Sequence, residues 1–172
     1  MTDDLVPFGS PLYCGFLLLL VFARGMDFAS TWLATPNLVL EANPLARKLG
    51  WRGGLLLNAV LCAAFALWPM PAVIIATTSV LVAARNFQSA WLMRSLGEER
   101  YRYWFAEQIG QTRLGLYVMC LAAQAVLIAG VGGALMYFSP HDLVPFAIGM
   151  GIITYAAAVA VYTLLSLWRI RR

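Results

Sequence analysis

Three ionisable residues interrupt long apolar stretches of this sequence. Arg24 and Asp27 lie in the first stretch, and Arg85 lies in the third. Ionisable side chains are costly within a membrane, so they usually face the interior of a helix bundle and mark an ion, proton or substrate site. Asp27 follows Arg24 by three residues, and Ser30 and Thr31 come three and four residues later. These intervals place all four residues on one face of a helix.

Residues in other stretches lie at a similar depth. At a rise of about 1.5 Å per residue, Asn58 and Arg85 lie roughly 9 and 13 Å from the nearer ends of their helices, and Asp27 lies roughly 10 Å from its own. One interpretation is a buried ion pair that only fixes helix packing. The other is a cytoplasm-facing site for an ion or small anion, because one acid and two arginines leave excess positive charge. The predicted polar layer comprises Arg24, Asp27, Ser30, Thr31, Asn58 and Arg85.

A second patterned segment reads Glu41-Ala-Asn43-Pro44. Asn is a favoured N-cap and Pro a favoured first helical residue, so a helix is predicted to begin at Pro44. Glu41 would then favour the positive end of that helix. Asp27, Glu41 and Asn43 are also hard oxygen donors, and a shared cation is the alternative interpretation.

These residues carry a resemblance to a known family. The chain resembles small polytopic prokaryotic membrane proteins with a signature of an Asp, a Ser/Thr-Thr pair and a following Glu-x-Asn-Pro. The resemblance covers about the first two apolar stretches, and Val39-Leu40 stands where a glycine often precedes the glutamate. It implies that the matching positions act as a unit, and it supplies no reaction. Those positions are Asp27, Ser30, Thr31, Glu41, Asn43 and Pro44.

The elements that must position these residues follow from composition. The chain has 172 residues, of which 62% are hydrophobic and 12% charged, about half the charged fraction of a soluble domain. Apolar stretches of roughly 20 residues predict membrane-spanning helices. We therefore predict a single all-α transmembrane domain over residues 1–172, with five spans at about 12–34, 53–68, 71–94, 114–138 and 143–168.

A short amphipathic helix is predicted between the third and fourth spans. The segment 97–113 places apolar and aromatic residues at helical spacing and charged residues elsewhere on the turn. This pattern is typical of a helix lying on the membrane surface.

The basic residues orient the spans, because short cytoplasmic loops retain Lys and Arg. Ten of the 12 fall on one side of a five-span chain, whereas the other side carries Asp3, Asp4 and two turns without Lys or Arg. This predicts an N-out, C-in protein of a prokaryotic inner membrane, and the net charge of +4 reflects topology, with no nucleic-acid partner. The ten are Arg47, Lys48, Arg52, Arg94, Arg100, Arg102, Arg113, Arg169, Arg171 and Arg172.

Small residues recur at intervals of four in the last two spans, and such stripes let helices approach closely, within the chain or between subunits. They fit either intramolecular packing or a homo-oligomer or larger membrane complex. The residues are Ala125, Ala129 and Gly133 in the fourth span, and Ala147 and Gly151 in the fifth.

Several chemistries are excluded by residue type. His141 is the only histidine, so a helical zinc site with two histidines cannot form. The sequence has no Gly-x-Ser-x-Gly elbow and no phosphate-binding glycine loop. No catalytic residue and no cofactor is assigned.

Three functions of different class are consistent with these patterns. The first is a small transport or permeation unit built on the polar layer. The second is a non-catalytic subunit or scaffold of a larger membrane complex. The third is a membrane enzyme that acts on lipid headgroups through Asp27 and Glu41. We favour the first, because buried charge is costly to keep without a use.

Overall fold

The computed structural model describes residues 4–41 and 43–171, except the side chains of residues 169–171. All regular structure in this part of the chain is helical, as predicted. The six helices are α1 (Pro11–Ala34), α2 (Pro44–Phe65), α3 (Pro69–Leu96), α4 (Glu98–Gln111), α5 (Leu114–Phe138) and α6 (Leu143–Arg171). Asp3, Arg172 and the side chains of Arg169 and Arg171, which entered the orientation argument, lie outside the described residues.

Four helices, α1, α3, α5 and α6, are long and apolar enough to cross a membrane. The chain is therefore a helical membrane protein. The predicted span at 53–68 is helical as far as Phe65 but is not one of these four. Gly50, with a φ of 65°, interrupts α2 and separates its basic first turns from an apolar part over 51–65, which is shorter than the roughly 20 residues of a typical span.

The helix boundaries follow local capping signals. The Asn43 side chain accepts a hydrogen bond from the Leu45 N–H at 3.0 Å, and Pro44 is the first helical residue. This confirms the helix start predicted from Glu-x-Asn-Pro. Gly97, with a φ of 79°, ends α3 and precedes α4, which confirms a short helix between the third and fourth predicted spans.

Helix α3 lies at the centre, between α1 on one side and α6 on the other. The residues on its face toward α1 have small, buried side chains. The positions alternate at intervals of four and three residues, the seam spacing of packed helices. They are Ala72, Ala76, Ser79, Ala83 and Ala90, and Asn86 occupies the intervening place.

Helices α1, α3 and α6 run in the same direction. Ser79 contacts Arg24 and Asn86 contacts Ser30, so residue numbers increase together along α1 and α3. On the other face, Thr78 Oγ1 donates to the Gly151 carbonyl at 3.0 Å, and residues farther along α3 meet residues farther along α6. Helix α5 runs antiparallel to α6.

Helix α2 lies beside α1 in the opposite direction. At one end the Trp51 indole N–H donates to the Pro36 carbonyl at 2.8 Å. At the other end the Val6 N–H donates to the Leu67 carbonyl at 2.9 Å. The segment from Trp51 to Leu67 therefore runs along the length of α1, although α2 touches its neighbours at few points.

Glycines bring the backbones of α5 and α6 close together. A Cβ on Gly132 would lie 2.6 Å from the Gly149 carbonyl oxygen, and a Cβ on Gly149 would lie 2.6 Å from that of Gly132. The glycine of α5 that packs on α6 is Gly132. The sequence had predicted its neighbour, Gly133. Ala147 and Gly151 are both buried and form part of the core around α3.

Candidate functional site

A cluster of polar side chains centres on Arg24 and joins three helices. Its Nε donates to Asn58 Oδ1 on α2 at 2.6 Å. Its Nη1 donates to Asp27 Oδ2 at 2.8 Å and to Ser79 Oγ on α3 at 3.2 Å. We call Arg24, Asp27, Asn58 and Ser79 the polar cluster. Three of these four residues were predicted to share a layer, and the structure brings them together.

The polar cluster is not sealed inside the bundle. The side chain of Asp27 is 16% exposed and that of Arg24 is 30% exposed, whereas Ser79 is buried. One member of the cluster, Asn58, is on α2, which packs loosely against α1 and α3.

Ser30 and Thr31 occupy the next turn of α1 and serve a different contact. The Asn86 Nδ2 on α3 donates to both hydroxyl oxygens at 3.3 Å. Ser30 Oγ also donates to the backbone carbonyl of Asp27 at 2.8 Å. These hydroxyls therefore join α1 to α3 and do not bind the Asp27 carboxylate.

Arg85 does not belong to the polar cluster, which corrects the predicted layer. Asn86 faces α1, and consecutive residues of an α-helix point about 100° apart. Arg85 is turned toward α5, where the Tyr117 phenol lies within its electrostatic range. Its Nη1 is buried without a hydrogen-bond partner among the described residues.

Glu41 and Asn43 lie at the start of α2. The Glu41 carboxylate accepts a hydrogen bond from the Asn43 N–H at 2.7 Å, while the Asn43 side chain caps the helix. Glu41 is also close enough to Asp27 for the two carboxylates to interact electrostatically. No group of three or more His, Cys, Asp or Glu side chains in the described part of the chain could hold a metal.

Without Arg85, the charge near the cluster changes sign. The sequence predicted one acid and two arginines. The structure instead puts one guanidinium, that of Arg24, near the two carboxylates of Asp27 and Glu41. If all three are ionised, their formal charges sum to one negative charge, which favours a cation over an anion.

Glu98, the first residue of α4, holds the loop between α1 and α2. Its Oε2 accepts from Thr35 Oγ1 at 2.6 Å and from the Val39 N–H at 3.0 Å. Its Oε1 accepts from the backbone and side-chain nitrogens of Asn37, both at 2.9 Å. We call these four hydrogen bonds the Glu98 clamp.

The charge of Glu98 strengthens this clamp. Partial burial raises the pKa of Glu98, but the hydrogen bonds from Thr35, Asn37 and Val39 outweigh it and hold the pKa below its ordinary value of 4.5. Glu98 is therefore ionised at neutral pH. Because Glu41 lies at the end of the clamped loop, the clamp helps to fix its position relative to Asp27.

A surface cavity of about 640 Å³ opens where this loop meets the joint between α3 and α4. Its walls combine loop residues with charged residues of that joint. The lining includes Pro36, Asn37, Val39, Arg94, Glu98 and Arg100. No residue of the polar cluster lines it, so the cavity is separate from that cluster.

Sequence reasoning missed three contributors: Ser79, Asn86 and Glu98. A signal for the first two was present, because both fall on the small-residue face of α3 at its regular four-and-three spacing. Glu98 had no such signal. Its partners lie about 60 residues away in the chain.

Comparisons with family models, curated proteins and solved structures find no significant match to this chain. The family resemblance at Asp27 and Glu-x-Asn-Pro stays a prediction.

Proposed function

We propose that the protein is a small transport or permeation unit whose intramembrane site takes a monovalent cation or a proton. The observation that carries this proposal is the Asp27 carboxylate, which pairs with the Arg24 guanidinium at 2.8 Å and also interacts electrostatically with the Glu41 carboxylate. Two acids and one guanidinium favour a cation over an anion. Intramembrane carboxylates that face a bundle interior are typical of ion and proton pathways.

The polar cluster also favours an exchangeable site. Asn58 is the α2 member, and its amide holds the Arg24 guanidinium. A modest movement of α2 would withdraw this acceptor and widen access to Asp27. Entry would come from the end where α1 finishes, because Glu41 lies in the loop at that end.

For topology we propose five membrane crossings, with the N-terminus outside and the C-terminus inside. The contacts of α2 at both ends of α1 support a fifth crossing, and the short apolar part of α2 would match a locally thinned bilayer or be shielded by α1. Because α1, α3 and α6 run parallel, every described loop rich in Arg or Lys lies at the same end of the helix bundle. That distribution supports a cytoplasmic location for the end and a prokaryotic inner membrane for the protein.

The test is cation flux in reconstituted vesicles. Vesicles that hold dyes sensitive to H⁺, Na⁺ or K⁺ receive an inward gradient of one cation at a time. We expect a flux above that of empty vesicles, its loss in Asp27→Asn and a reduction in Glu41→Gln. Asp142→Asn is the matched control, because this exposed acid lies in the turn at the opposite end of the molecule.

Two outcomes contradict the proposal. One is a wild-type protein that passes none of the three cations faster than empty vesicles. The other is an unchanged flux in both acid variants. Since Glu41 lies outside the helices, Glu41→Gln keeps the test decisive if Asp27→Asn does not fold.

A second candidate is a non-catalytic subunit of a homo-oligomer or larger membrane complex. It is favoured by the hydrogen bonds that already connect Arg24 to three helices, because such a network would suit a purely structural role. The mass of the intact particle after mild detergent extraction distinguishes the two candidates. A particle with other proteins, together with no cation flux from the isolated chain, supports the subunit.

A further inference from the structure

Arg85 carries a charge that the described part of the chain does not neutralise. Its Nη1 is buried and has no hydrogen-bond partner there, and its guanidinium makes no ion pair there. Helices α3, α5 and α6 contain no Asp or Glu. An unpaired arginine in a membrane-spanning helix is costly. An anion from outside the chain would lower this cost by pairing with the guanidinium.

The surroundings of Arg85 indicate the depth of that anion. The guanidinium lies within electrostatic range of Tyr117, which occupies the first turn of α5 (Leu114–Phe138). Arg85 itself lies near the middle of α3 (Pro69–Leu96), so its side chain must extend toward the end of the span to approach Tyr117. Long arginine side chains extend in this way toward the membrane surface.

A second tyrosine lies close to the first. Tyr101 of α4 is within electrostatic range of Tyr117, and its ring stacks on Phe105 with centroids 5.9 Å apart and an angle of 9°. The Tyr117 phenol offers a hydroxyl donor near the guanidinium, and the Tyr101 phenol offers a second donor near Tyr117. Tyrosine and tryptophan rings typically lie at the depth of lipid headgroups.

We propose that Arg85, with Tyr117 and Tyr101, binds a phosphate-bearing anion at the membrane surface where α5 begins. The guanidinium provides N–H donors in the planar arrangement that suits phosphate oxygens. Two sources share this chemistry, the headgroup of an anionic phospholipid and free inorganic phosphate. The site lies on the face of α3 away from Asp27, so it is independent of the proposed cation site.

Retention of lipid by the purified protein tests this site. The protein in mild detergent is titrated separately with phosphatidylglycerol, phosphatidylcholine and inorganic phosphate, and bound molecules are counted by native mass spectrometry. Arg85→Gln should weaken phosphatidylglycerol binding roughly fivefold, the effect of one basic residue near an anionic membrane surface. Arg94→Gln is the matched control, since it removes an exposed arginine from the same helix; it measures the general effect of surface charge, and the loss in Arg85→Gln should exceed the loss in Arg94→Gln.

The three titrations separate the two sources. Binding of phosphatidylglycerol that depends on Arg85, without binding of inorganic phosphate, identifies a lipid headgroup. Inorganic phosphate binding that depends on Arg85 identifies the free anion. If Arg85→Gln retains both as well as the wild type does, the proposal is wrong.

Folding of the variants supplies an independent readout. Since Arg85→Gln removes an unpaired charge, it should unfold in zwitterionic detergent at a temperature no lower than the wild type. Added phosphatidylglycerol should then raise the unfolding temperature of the wild type and of Arg94→Gln but not of Arg85→Gln. Tyr117→Phe keeps the ring and removes the hydroxyl, so phosphatidylglycerol should stabilise it less than the wild type but more than Arg85→Gln. This variant replaces Arg85→Gln in the test if Arg85→Gln does not fold. Lipid-induced stabilisation that is equal in all variants overturns the site.

Discussion

The two sides of α3 are held together in different ways. Toward α6, a Cβ on Gly151 would lie 2.7 Å from Thr77 Cβ of α3, and beyond it α5 and α6 approach so closely that a Cβ on Gly149 would lie 2.6 Å from the Gly132 carbonyl oxygen. Toward α1 and α2, the contact includes a guanidinium, a carboxylate and an amide joined by hydrogen bonds. We call these the glycine side and the polar side.

The difference shows which part of the molecule is able to move. Between helices in lipid, association depends on close packing and on polar contacts, because the surrounding lipid is as apolar as the side chains. Close packing of glycine backbones tolerates almost no change of distance. Hydrogen bonds such as that from Arg24 to Asn58 can be exchanged for bonds to water or to an ion. We therefore expect the glycine side to act as a fixed frame and α2 on the polar side to be the more mobile element.

The largest effect on folding is expected on the glycine side. In Gly149→Ala the new methyl group would meet the Gly132 carbonyl oxygen at 2.6 Å, and we expect a loss of about 2–3 kcal/mol in the free energy of unfolding, the upper part of the range for overpacking. Gly130→Ala is the control, because its Cβ would meet nothing within 4 Å. Alanine there should be neutral or stabilising by up to about 1 kcal/mol. Unfolding in a denaturing detergent measures both, and equal stability of the two variants would remove the distinction between the sides.

A smaller loss is expected when the ion pair of the polar side is broken. Asp27→Asn leaves Arg24 without its carboxylate. Removing a hydrogen bond to a charged group costs about 1.5–3 kcal/mol, and we expect the lower part of this range, about 1.5–2 kcal/mol, because the amide oxygen of the substituted side chain can still accept a hydrogen bond from the guanidinium. Asp142→Asn should leave the same unfolding curve unchanged. A loss larger than that of Gly149→Ala would make the polar side the main source of stability.

Loss of the α2 contact should affect dynamics more than folding. Asn58→Ala removes the acceptor of the Arg24 Nε, and the expected loss is about 1.5 kcal/mol, the lower end of the range for a hydrogen bond to a charged group. Hydrogen exchange should accelerate in α2 over 51–65 and stay unchanged in α5. Gln124→Ala, at an exposed position of α5, is the control. Faster exchange spread equally over α2 and α5 would contradict a mobile α2 on a fixed frame.

The smallest effect on stability, and the one that depends on pH, is expected at the Glu98 clamp. Because the pKa of folded Glu98 lies below 4.5, the clamp stabilises the loop fully above pH 4.5 and is lost as the pH falls through the lower, folded value. Amide signals of Asn37 and Val39 in NMR spectra should shift over that acidic range. Glu98→Gln should abolish the transition, whereas Glu99→Gln, an exposed neighbour paired with Arg102, should preserve it. If the transition persists in Glu98→Gln, a group other than Glu98 causes it.

The helices themselves were largely predictable. Spans 114–138 and 143–168 nearly coincide with α5 and α6, because hydropathy and flanking turns are local properties. The start of α2 at Pro44 followed from one capping residue. The break at Gly50 was not predicted, since a glycine within a helical pattern does not reveal whether it adopts a positive φ.

The candidate site was predictable only within one helix. Arg24 and Asp27 were expected to meet because three residues of helix bring their side chains together. Depth arguments also brought Asn58 to the correct level. The same arguments placed Arg85 in the layer wrongly, because depth along a helix axis says nothing about which direction a side chain faces.

The sequence by itself determined a helical membrane protein, most of its helix boundaries and the Arg24–Asp27 pair. These depend on composition and on intervals of a few residues. Tertiary structure alone decided that Asn86 and not Arg85 faces α1, that Glu41 lies near Asp27, and that Glu98 holds a loop some 60 residues away. The physical reason is that the rotation of a helix about its axis depends on the shapes of its neighbours. One face of α3 packs on α1 and the other packs on α6, and these two contacts fix which residues of α3 face Asp27.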